Sequence, residues 1–146
     1  MKFDCKRITL HEVDALWELH TAYKAEIGEP SPAKSDRNKL ARAIEGGAIT
    51  FFGAFDGQKL VGCCSVTVGF STFNYALIGL YEDFYIIPAY RKKGIARALV
   101  SFAYVSSGVS SMTVGCADCD LGLYSALGFK TRLGNLLAYD GTSLKK

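Results

Sequence analysis

A long apolar strand, a proline and an amphipathic helix follow one another in the second half of the chain. Residues 75–87 predict a buried strand that ends at Pro88, and apolar residues at helical spacing predict a helix over about 94–107. A further apolar strand is predicted at 111–116. Because two strands joined through a helix lie parallel with a right-handed crossover, this unit constrains the centre of the sheet. Ligands of such sheets bind at the carboxyl edge of the parallel strands, here the turn at 87–95.

The rest of the chain predicts short helices and strands. Helical periodicity and closing glycines indicate helices, of which the second has Ser35 or Asp36 as its N-cap. The turn Asp56-Gly57 indicates a β-hairpin. The predicted helices cover 11–27, 36–47 and 120–127, and the predicted strands cover 6–10, 48–55, 60–70 and 136–139. The predicted class is therefore α/β: a mixed, mostly antiparallel sheet with a central parallel β-α-β crossover and helices on both faces. A length of 146 residues predicts a single domain over 1–146.

The composition argues against several classes of protein. The net charge of +3 is too small and too scattered for a nucleic-acid surface, and no apolar run has the length of a membrane span. Five cysteines without a disulfide framework, and a start without a signal-peptide pattern, predict a cytoplasmic protein with free thiols. Cys116 and Cys119 spell C-x-x-C, but there is no second pair, and His11 and His20 belong to another predicted element. The thiols are therefore predicted to be structural, and no metal is predicted.

A basic turn containing glycine lies between the predicted strand and helix. The first backbone amides of a helix and the positive end of its dipole attract anions, and cationic side chains add to that attraction. Gly94 and Ala96 are small where a phosphate would approach the backbone. The surrounding cations are Arg91, Lys92, Lys93 and Arg97. Neither G-x-x-x-x-G-K-[ST] nor G-x-G-x-x-G is present, which argues against nucleotide hydrolysis and hydride transfer. A solvated basic loop is the alternative interpretation.

Two motifs resemble the GNAT N-acetyltransferase superfamily. Arg91-x-x-Gly94-x-Ala96 is similar to its acyl-coenzyme A loop, R/Q-x-x-G-x-G/A, and LYSALGF at 123–129 is similar to its downstream element L-Y-x-x-x-G-F. The order of predicted elements matches over roughly residues 5–140. The Glu-Asp pair in LYEDFYIIPAYRKKGIARAL most resembles the spermidine/spermine N-acetyltransferase branch.

The resemblance implies an enzyme that uses acetyl-CoA as cosubstrate, without a metal, and that forms a homodimer. The pantetheine arm would pair with the strand backbone before the turn, and the pyrophosphate would bind the turn. The residues so assigned are Phe84, Tyr85, Ile86, Arg91, Lys92, Lys93, Gly94, Ile95, Ala96 and Arg97. The family often has glycines where this chain has Lys92, Lys93 and Ala96, a difference that bears on the geometry of the loop or its affinity for the cofactor. It also often has an asparagine where this chain has Ala117, so a contact to the cofactor is missing here or is moved to Asp118 or Asp120.

Two adjacent carboxylates, Glu82 and Asp83, interrupt the apolar strand. A buried carboxylate costs several kcal/mol unless it is paired or solvated, and strand alternation predicts that the two side chains point to opposite faces. An alkylamine is about 99.9% protonated at pH 7, and only its neutral form attacks a thioester. A carboxylate that binds the ammonium and accepts its proton would therefore serve an amine acceptor. The resemblance assigns that role to Glu82 and makes Asp83 a substrate-side residue. Ion pairing with nearby lysines or arginines is the alternative.

Tyr124 and Glu26 complete the site that the resemblance implies. Tyr124 would lie beside the coenzyme sulfur and hydrogen-bond or protonate the departing thiolate, and Glu26 would border the acceptor. The predicted function is direct transfer of acetyl from acetyl-CoA to a primary amine of a small molecule, either polyamine-like or another alkyl amine. A protein or peptide amine as acceptor, and a non-catalytic CoA-binding sensor with the same fold, are the alternatives.

Overall fold

The structure is a computed structural model that describes residues 2–142. In this part of the chain five strands form one sheet in the order β1-β2-β3-β4-β5. The strands are β1 (Asp4–Arg7), β2 (Thr50–Asp56), β3 (Lys59–Ser71), β4 (Ala76–Ile86) and β5 (Ser111–Thr113). Neighbouring strands are antiparallel except β4 and β5, which are parallel. The predicted α/β class with a mixed, mostly antiparallel sheet is confirmed.

Helices cover both faces of this sheet. Within residues 2–142 the α-helices are α1 (Val13–Glu26), α2 (Lys34–Glu45), α3 (Ile95–Ser107) and α4 (Leu121–Ala126). The crossover helix α3 joins β4 to β5. It starts after Gly94 and ends at Gly108, with φ values of +85° and +67° that glycine adopts without steric cost. None of the helices in the described chain is long and apolar enough to span a bilayer.

The sheet separates two apolar cores, because successive side chains of a strand point to opposite faces. Cys64 of β3 belongs to the core that contains Leu99 of α3, whereas the adjacent Cys63 belongs to the core that contains Leu16 of α1. All four side chains are at most 1% exposed. Full burial of a leucine contributes roughly 1.5–3 kcal/mol, so both layers hold the sheet in place.

The second helix begins earlier than predicted. Its N-cap is Ala33 rather than Ser35 or Asp36, and the helix starts at Lys34. The backbone amide of Ala33 donates a hydrogen bond to Asp36 Oδ2 at 2.8 Å. This bond lowers the pKa of Asp36. Asp36 therefore caps the helix from inside its first turn, where a negative charge also suits the helix dipole.

The predicted last strand at 136–139 is wrong. These residues lie outside the sheet, and Leu136 and Leu137 are 96% and 90% exposed. An apolar run becomes a strand only where its backbone finds a pairing edge and one face finds a core. Strand β5 is also shorter than predicted and ends at Thr113, which is its last residue paired with β4.

Candidate functional site

The parallel strands β4 and β5 separate after a short paired region, and a cavity opens between them. Pairing joins Ile78–Leu80 to Ser111–Thr113, whereas β4 continues to Ile86. Beyond Leu80, the β4 edge that faces β5 therefore has backbone groups without a strand partner on that side, and such an edge can pair with an extended ligand. The cavity, here called the β4–β5 cleft, has a volume of about 670 Å³, within the range of small-molecule sites.

Most of the predicted site residues line the β4–β5 cleft. They are Glu26, Phe84, Tyr85, Ile86, Arg91, Lys92, Gly94, Ile95, Ala96 and Tyr124. Four predicted residues are not part of its wall, namely Glu82, Asp83, Lys93 and Arg97. The guanidinium of Arg97 instead donates a hydrogen bond to the Ala126 carbonyl oxygen at 3.0 Å, which ties α3 to α4.

The turn before α3 presents the start of that helix to the cleft. Gly94 is the N-cap, and the first helical residues, Ile95 and Ala96, line the cleft. The first amides of a helix have no partner within it and lie at the positive end of its dipole, so they can bind an anion. Lys92 has a left-handed backbone with φ of +62°, which costs a residue with a β-carbon roughly 1–2 kcal/mol. The turn thus keeps the backbone shape of a glycine while carrying a cation.

Arg91 connects the carboxyl end of β4 to the end of α1. Its Nε donates to the Ile86 carbonyl oxygen at 2.9 Å, and its guanidinium donates to Glu26 Oε1 at 2.8 Å and Oε2 at 3.1 Å. The guanidinium also lies over the Tyr85 ring, 5.5 Å from the centroid. The side chains of Arg91 and Glu26 are 40% and 47% exposed, so their ion pair contributes little stability. Its consequence is electrostatic, since the charge of Glu26 is largely neutralised at the mouth of the cleft.

A β-bulge interrupts β4 at Asp83. Between two regularly paired positions, β3 contributes only Cys64 whereas β4 contributes Asp83 and Phe84. Asp83 has φ of +54°, a left-handed conformation that is uncommon for a residue within a strand. An extra residue of this kind shifts the alternation of side chains along the rest of the strand by one position.

The bulge places Glu82 and Asp83 on the same face of the sheet, so the prediction of opposite faces is wrong. Glu82 is paired with Ser65 on β3, and paired side chains of adjacent strands share a face. Ser65 Oγ donates a hydrogen bond to Asp83 Oδ2 at 2.6 Å, which brings the Asp83 carboxylate to that face too. Ser65 is only 1% exposed, so the donor of this hydrogen bond is shielded from water, and the bond holds the carboxylate in place.

Both carboxylates face α1. Burial lowers the pKa of His20 on that helix, and the negative charge of Asp83 opposes this effect. Burial raises the pKa of Tyr23, and the charges of Asp83 and then Glu82 raise it further. Asp83 is half-buried, whereas Glu82 is exposed. The two carboxylates therefore form one acidic pair beside α1 that has access to water through Glu82.

Tyr124 belongs to the part of the cleft wall that α4 contributes. Its ring centroid lies 6.2 Å from that of Phe84 and 5.8 Å from that of Phe129. Burial is the largest cause of a rise in the pKa of Tyr124 to about 12. The neighbouring titratable groups Tyr23, Asp120 and Cys116 also raise it, and Tyr23 has the largest effect of the three. The hydroxyl therefore stays protonated at neutral pH and can donate a hydrogen bond to a group in the cleft.

The segment after β5 brings a thiol and a carboxylate into the cleft wall. Cys116 lines the cleft, and both Cys116 and Cys119 are free and exposed. Among residues 2–142, no three His, Cys, Asp or Glu side chains are grouped as metal ligands. Ala117 and Asp120 also line the cleft, whereas Asp118 does not. Asp120 is thus the better placed of the two candidates to replace the missing asparagine.

Tyr23 and Ser65 were not predicted as site residues. Tyr23 lies on the apolar stripe of α1, so its helical spacing could have indicated a side chain that faces the sheet. Ser65 had no such signal, because its bond to Asp83 depends on the bulge and on the register between β3 and β4.

A family model described as an acetyltransferase (GNAT) domain matches residues 47–131, more than half of the chain. This region runs from β2 to α4 and includes the turn before α3, Tyr124 and all the residues that line the β4–β5 cleft except Tyr23, Glu26 and Ile27. The chain belongs to the GNAT acetyltransferase family. Its resemblance to the spermidine/spermine branch stays a prediction.

Solved structures of acetyltransferases have the same fold. A probable acetyltransferase is 21% identical with a TM-score of 0.79, and the match covers 96% of this chain and 99% of that chain. An aminoglycoside acetyltransferase from an uncultured soil metagenomic sample is 15% identical with a TM-score of 0.79, covering 94% and 95%. A protein from Clostridium acetobutylicum, described as a predicted acetyltransferase with acetyl-CoA, is 10% identical with a TM-score of 0.77, covering 97% and 98%. No curated protein sequence matches the chain.

The position of Asp83 can be tested through His20. Asp83→Asn should lower the pKa of His20 further below its ordinary value, because the substitution removes a negative charge that favours the imidazolium. Glu82→Gln is the matched control, since the Glu82 charge is not among those that act on His20. NMR titration of the His20 ring protons measures both variants. Equal shifts in the two variants, or an upward shift for Asp83→Asn, would contradict the placement of the acidic pair.

Proposed function

We propose that this chain transfers an acetyl group from acetyl-CoA to the primary amine of a small molecule, either polyamine-like or another alkyl amine. The observation that carries the proposal is the β4–β5 cleft, which lies between the anion-binding start of α3 and Tyr124 and has the acidic pair on the adjacent bulge. The C. acetobutylicum protein with acetyl-CoA and the soil aminoglycoside acetyltransferase share this fold, which supports both the donor and an amine acceptor.

The cleft fits an extended acyl-CoA. The unpaired edge of β4 at 84–86 offers backbone groups to an amide-containing arm, in the manner of an added strand. The amides of Ile95 and Ala96 and the cation of Lys92 suit a pyrophosphate at the end of that arm. Lys93 and Arg97 lie next to this site in the chain and add to its positive field, although they are outside the cleft wall.

The acidic pair would prepare the amine for attack. Asp83, held by Ser65, would position the ammonium, whereas the exposed Glu82 would accept its proton and release it to water. The neutral amine nitrogen then forms a bond to the acetyl carbon while the carbon–sulfur bond breaks, and the nitrogen loses its second proton to water to give the neutral amide. The CoA thiolate leaves with the electron pair of that bond. No nucleophile of the protein takes part in this scheme.

Tyr124 would assist the leaving thiolate by hydrogen bonding. Its pKa of about 12 lies well above that of a thiol, which is near 8.5, so complete transfer of the proton to the thiolate is uphill. A hydrogen bond that forms as negative charge develops on sulfur is favourable, because it stabilises the transition state more than the ground state. The tyrosine is therefore helpful to the reaction rather than indispensable.

Acetyl-CoA consumption across a panel of amines, with a parallel calorimetric titration of CoA, tests the function. We expect turnover with small primary amines and saturable CoA binding. Lys92→Glu combined with Lys93→Glu should weaken CoA binding markedly and in a salt-dependent way, because it reverses charge beside a polyanion. Unchanged CoA affinity in this variant would move the pyrophosphate site elsewhere. CoA binding without any turnover would favour a sensor, and turnover on peptides alone would favour a peptide acceptor.

Glu82→Gln should lower turnover by roughly 10²–10⁴ near neutral pH, because it keeps the side-chain shape but removes the base. Raising the pH should recover part of the loss, since more of the amine is then neutral. The matched control is Glu18→Gln, which removes an exposed carboxylate of α1 that does not line the β4–β5 cleft. Initial rates between neutral pH and pH 9 measure the effect. Normal turnover of Glu82→Gln at pH 7 would assign Glu82 a structural role.

Tyr124→Phe should lower turnover less than loss of the base does, by on the order of 10–10², because the thiolate is already a fair leaving group. CoA affinity should change little, since the ring contacts with Phe84 and Phe129 remain. Tyr75→Phe, at an exposed tyrosine on the β3–β4 hairpin, is the control. The loss should shrink for an acyl donor whose leaving thiol is more acidic. Equal impairment on both donors would leave Tyr124 as a packing residue.

A further inference from the structure

A second cavity lies between α1 and the segment that leads into α2. Its volume is about 370 Å³, near the lower end of the range for small-molecule sites. We call it the α1 cavity. Its apolar and aromatic walls are Trp17, His20, Pro30, Pro32 and Leu40. Its polar walls are Lys24, Glu29, Ser31 and Asp36.

A row of aromatic rings connects the α1 cavity to the β4–β5 cleft. The centroid of Trp17 lies 5.7 Å from that of His20, which lies 6.3 Å from that of Tyr23. Tyr23 lies 6.3 Å from Tyr85, and both of these tyrosines line the cleft. Asp83 acts electrostatically on both His20 and Tyr23, so the acidic pair stands where the two cavities approach each other. An amine held there would have its nitrogen at the acidic pair and the rest of the molecule free to enter the α1 cavity.

The charges around the α1 cavity do not suit a second ammonium group. Among the described residues that line it, the carboxylates are Glu29 and Asp36, and the amine is Lys24. Asp36 is already engaged, because it accepts from the Ala33 amide at 2.8 Å and pairs with Lys39 at 3.5 Å. The positive charge of Lys24 offsets the negative charge of Glu29 and also lowers the pKa of His20. Once Lys39 is counted with the lining residues, two cations stand against two carboxylates, so a polyamine would place its second cation near Lys24 without a surplus of negative charge to receive it.

We infer that the α1 cavity binds the apolar body of the acceptor, and that the acceptor is a molecule with a single amino group on an aryl or similarly apolar frame. The inference rests on the proposed function and narrows its substrate class to amines with a single amino group, which excludes polyamines. The indole of Trp17, the two prolines and Leu40 provide the apolar contact area that such a body needs. The acidic pair holds the one ammonium.

Trp17 gives a direct measure of binding, because it is the single tryptophan of the chain. Titration of the protein with phenethylamine should change the tryptophan emission saturably. Putrescine, which is of similar length but carries two ammonium groups, should bind at least about tenfold more weakly. Equal or tighter binding of putrescine, or no emission change with phenethylamine, would overturn the inference.

Ser31→Phe tests the location without removing any core residue. Ser31 is exposed and lines the α1 cavity, so a larger side chain there should fill the space that the apolar body needs. The Kd for phenethylamine should rise about tenfold or more, and in turnover the loss should appear in KM rather than in kcat. Phe73→Ala, which removes a fully exposed ring at the tip of the β3–β4 hairpin, is the control and should bind like the natural protein. Unaltered phenethylamine binding in Ser31→Phe would exclude the α1 cavity as the binding site of the apolar body.

The fluorescence assay separates this inference from the proposed function, because it reports binding without turnover. Saturable phenethylamine binding that Ser31→Phe weakens, without acetylation of any amine, would support the inference about the ligand and contradict the function. Acetylation of putrescine with no Trp17 response to phenethylamine would support the function and overturn the inference.

Discussion

The separation of β4 from β5 is the constraint on which the site depends. The two strands pair over only three residues each, because β5 ends at Thr113 while β4 continues to Ile86. Hydrogen-bonding groups along the open edge of β4 need a partner, and the cleft offers them to a ligand rather than to a strand. The crossover helix α3 starts at the same end of the sheet, so its dipole and the basic turn face the same opening. One topological feature therefore supplies both an extended binding edge and an anion site.

The bulge at Asp83 gives β4 a second functional feature, the acidic pair. A regular strand would direct Glu82 and Asp83 to opposite sides, and the one on the α3 side would meet an apolar core. The extra residue turns both carboxylates toward α1, where Ser65 satisfies one of them and solvent reaches the other. It also shifts the alternation beyond the bulge by one position, so that Tyr85 belongs to the α1-side core while Phe84 packs on the α3 side. The left-handed backbone of Asp83 is the local cost of this arrangement.

Charge is distributed unevenly around the two cavities. At the mouth of the cleft, Arg91 and Glu26 neutralise each other, so the positive field at the start of α3 comes from the helix dipole and the lysines. Near α1, negative charge dominates: Asp83 acts on both Tyr23 and His20, and Glu82 acts on Tyr23. A donor that carries phosphates and an acceptor that carries an ammonium would thus be drawn to different sides of the same strand end.

The sequence by itself determined the β-α-β crossover, the turn at Arg91–Arg97 and the motif at Tyr124, because strand length, helical periodicity and the punctuation by Pro88 and Gly94 are local properties. It did not determine the faces of Glu82 and Asp83, since these depend on the register of β3 against β4 and on a bulge with no local signature. It also mispredicted a strand at 136–139, because an apolar run shows a preference for pairing but not whether an edge is available. Only the tertiary structure brought Ser65 to Asp83 and Arg91 to Glu26, since these contacts join residues far apart in the chain.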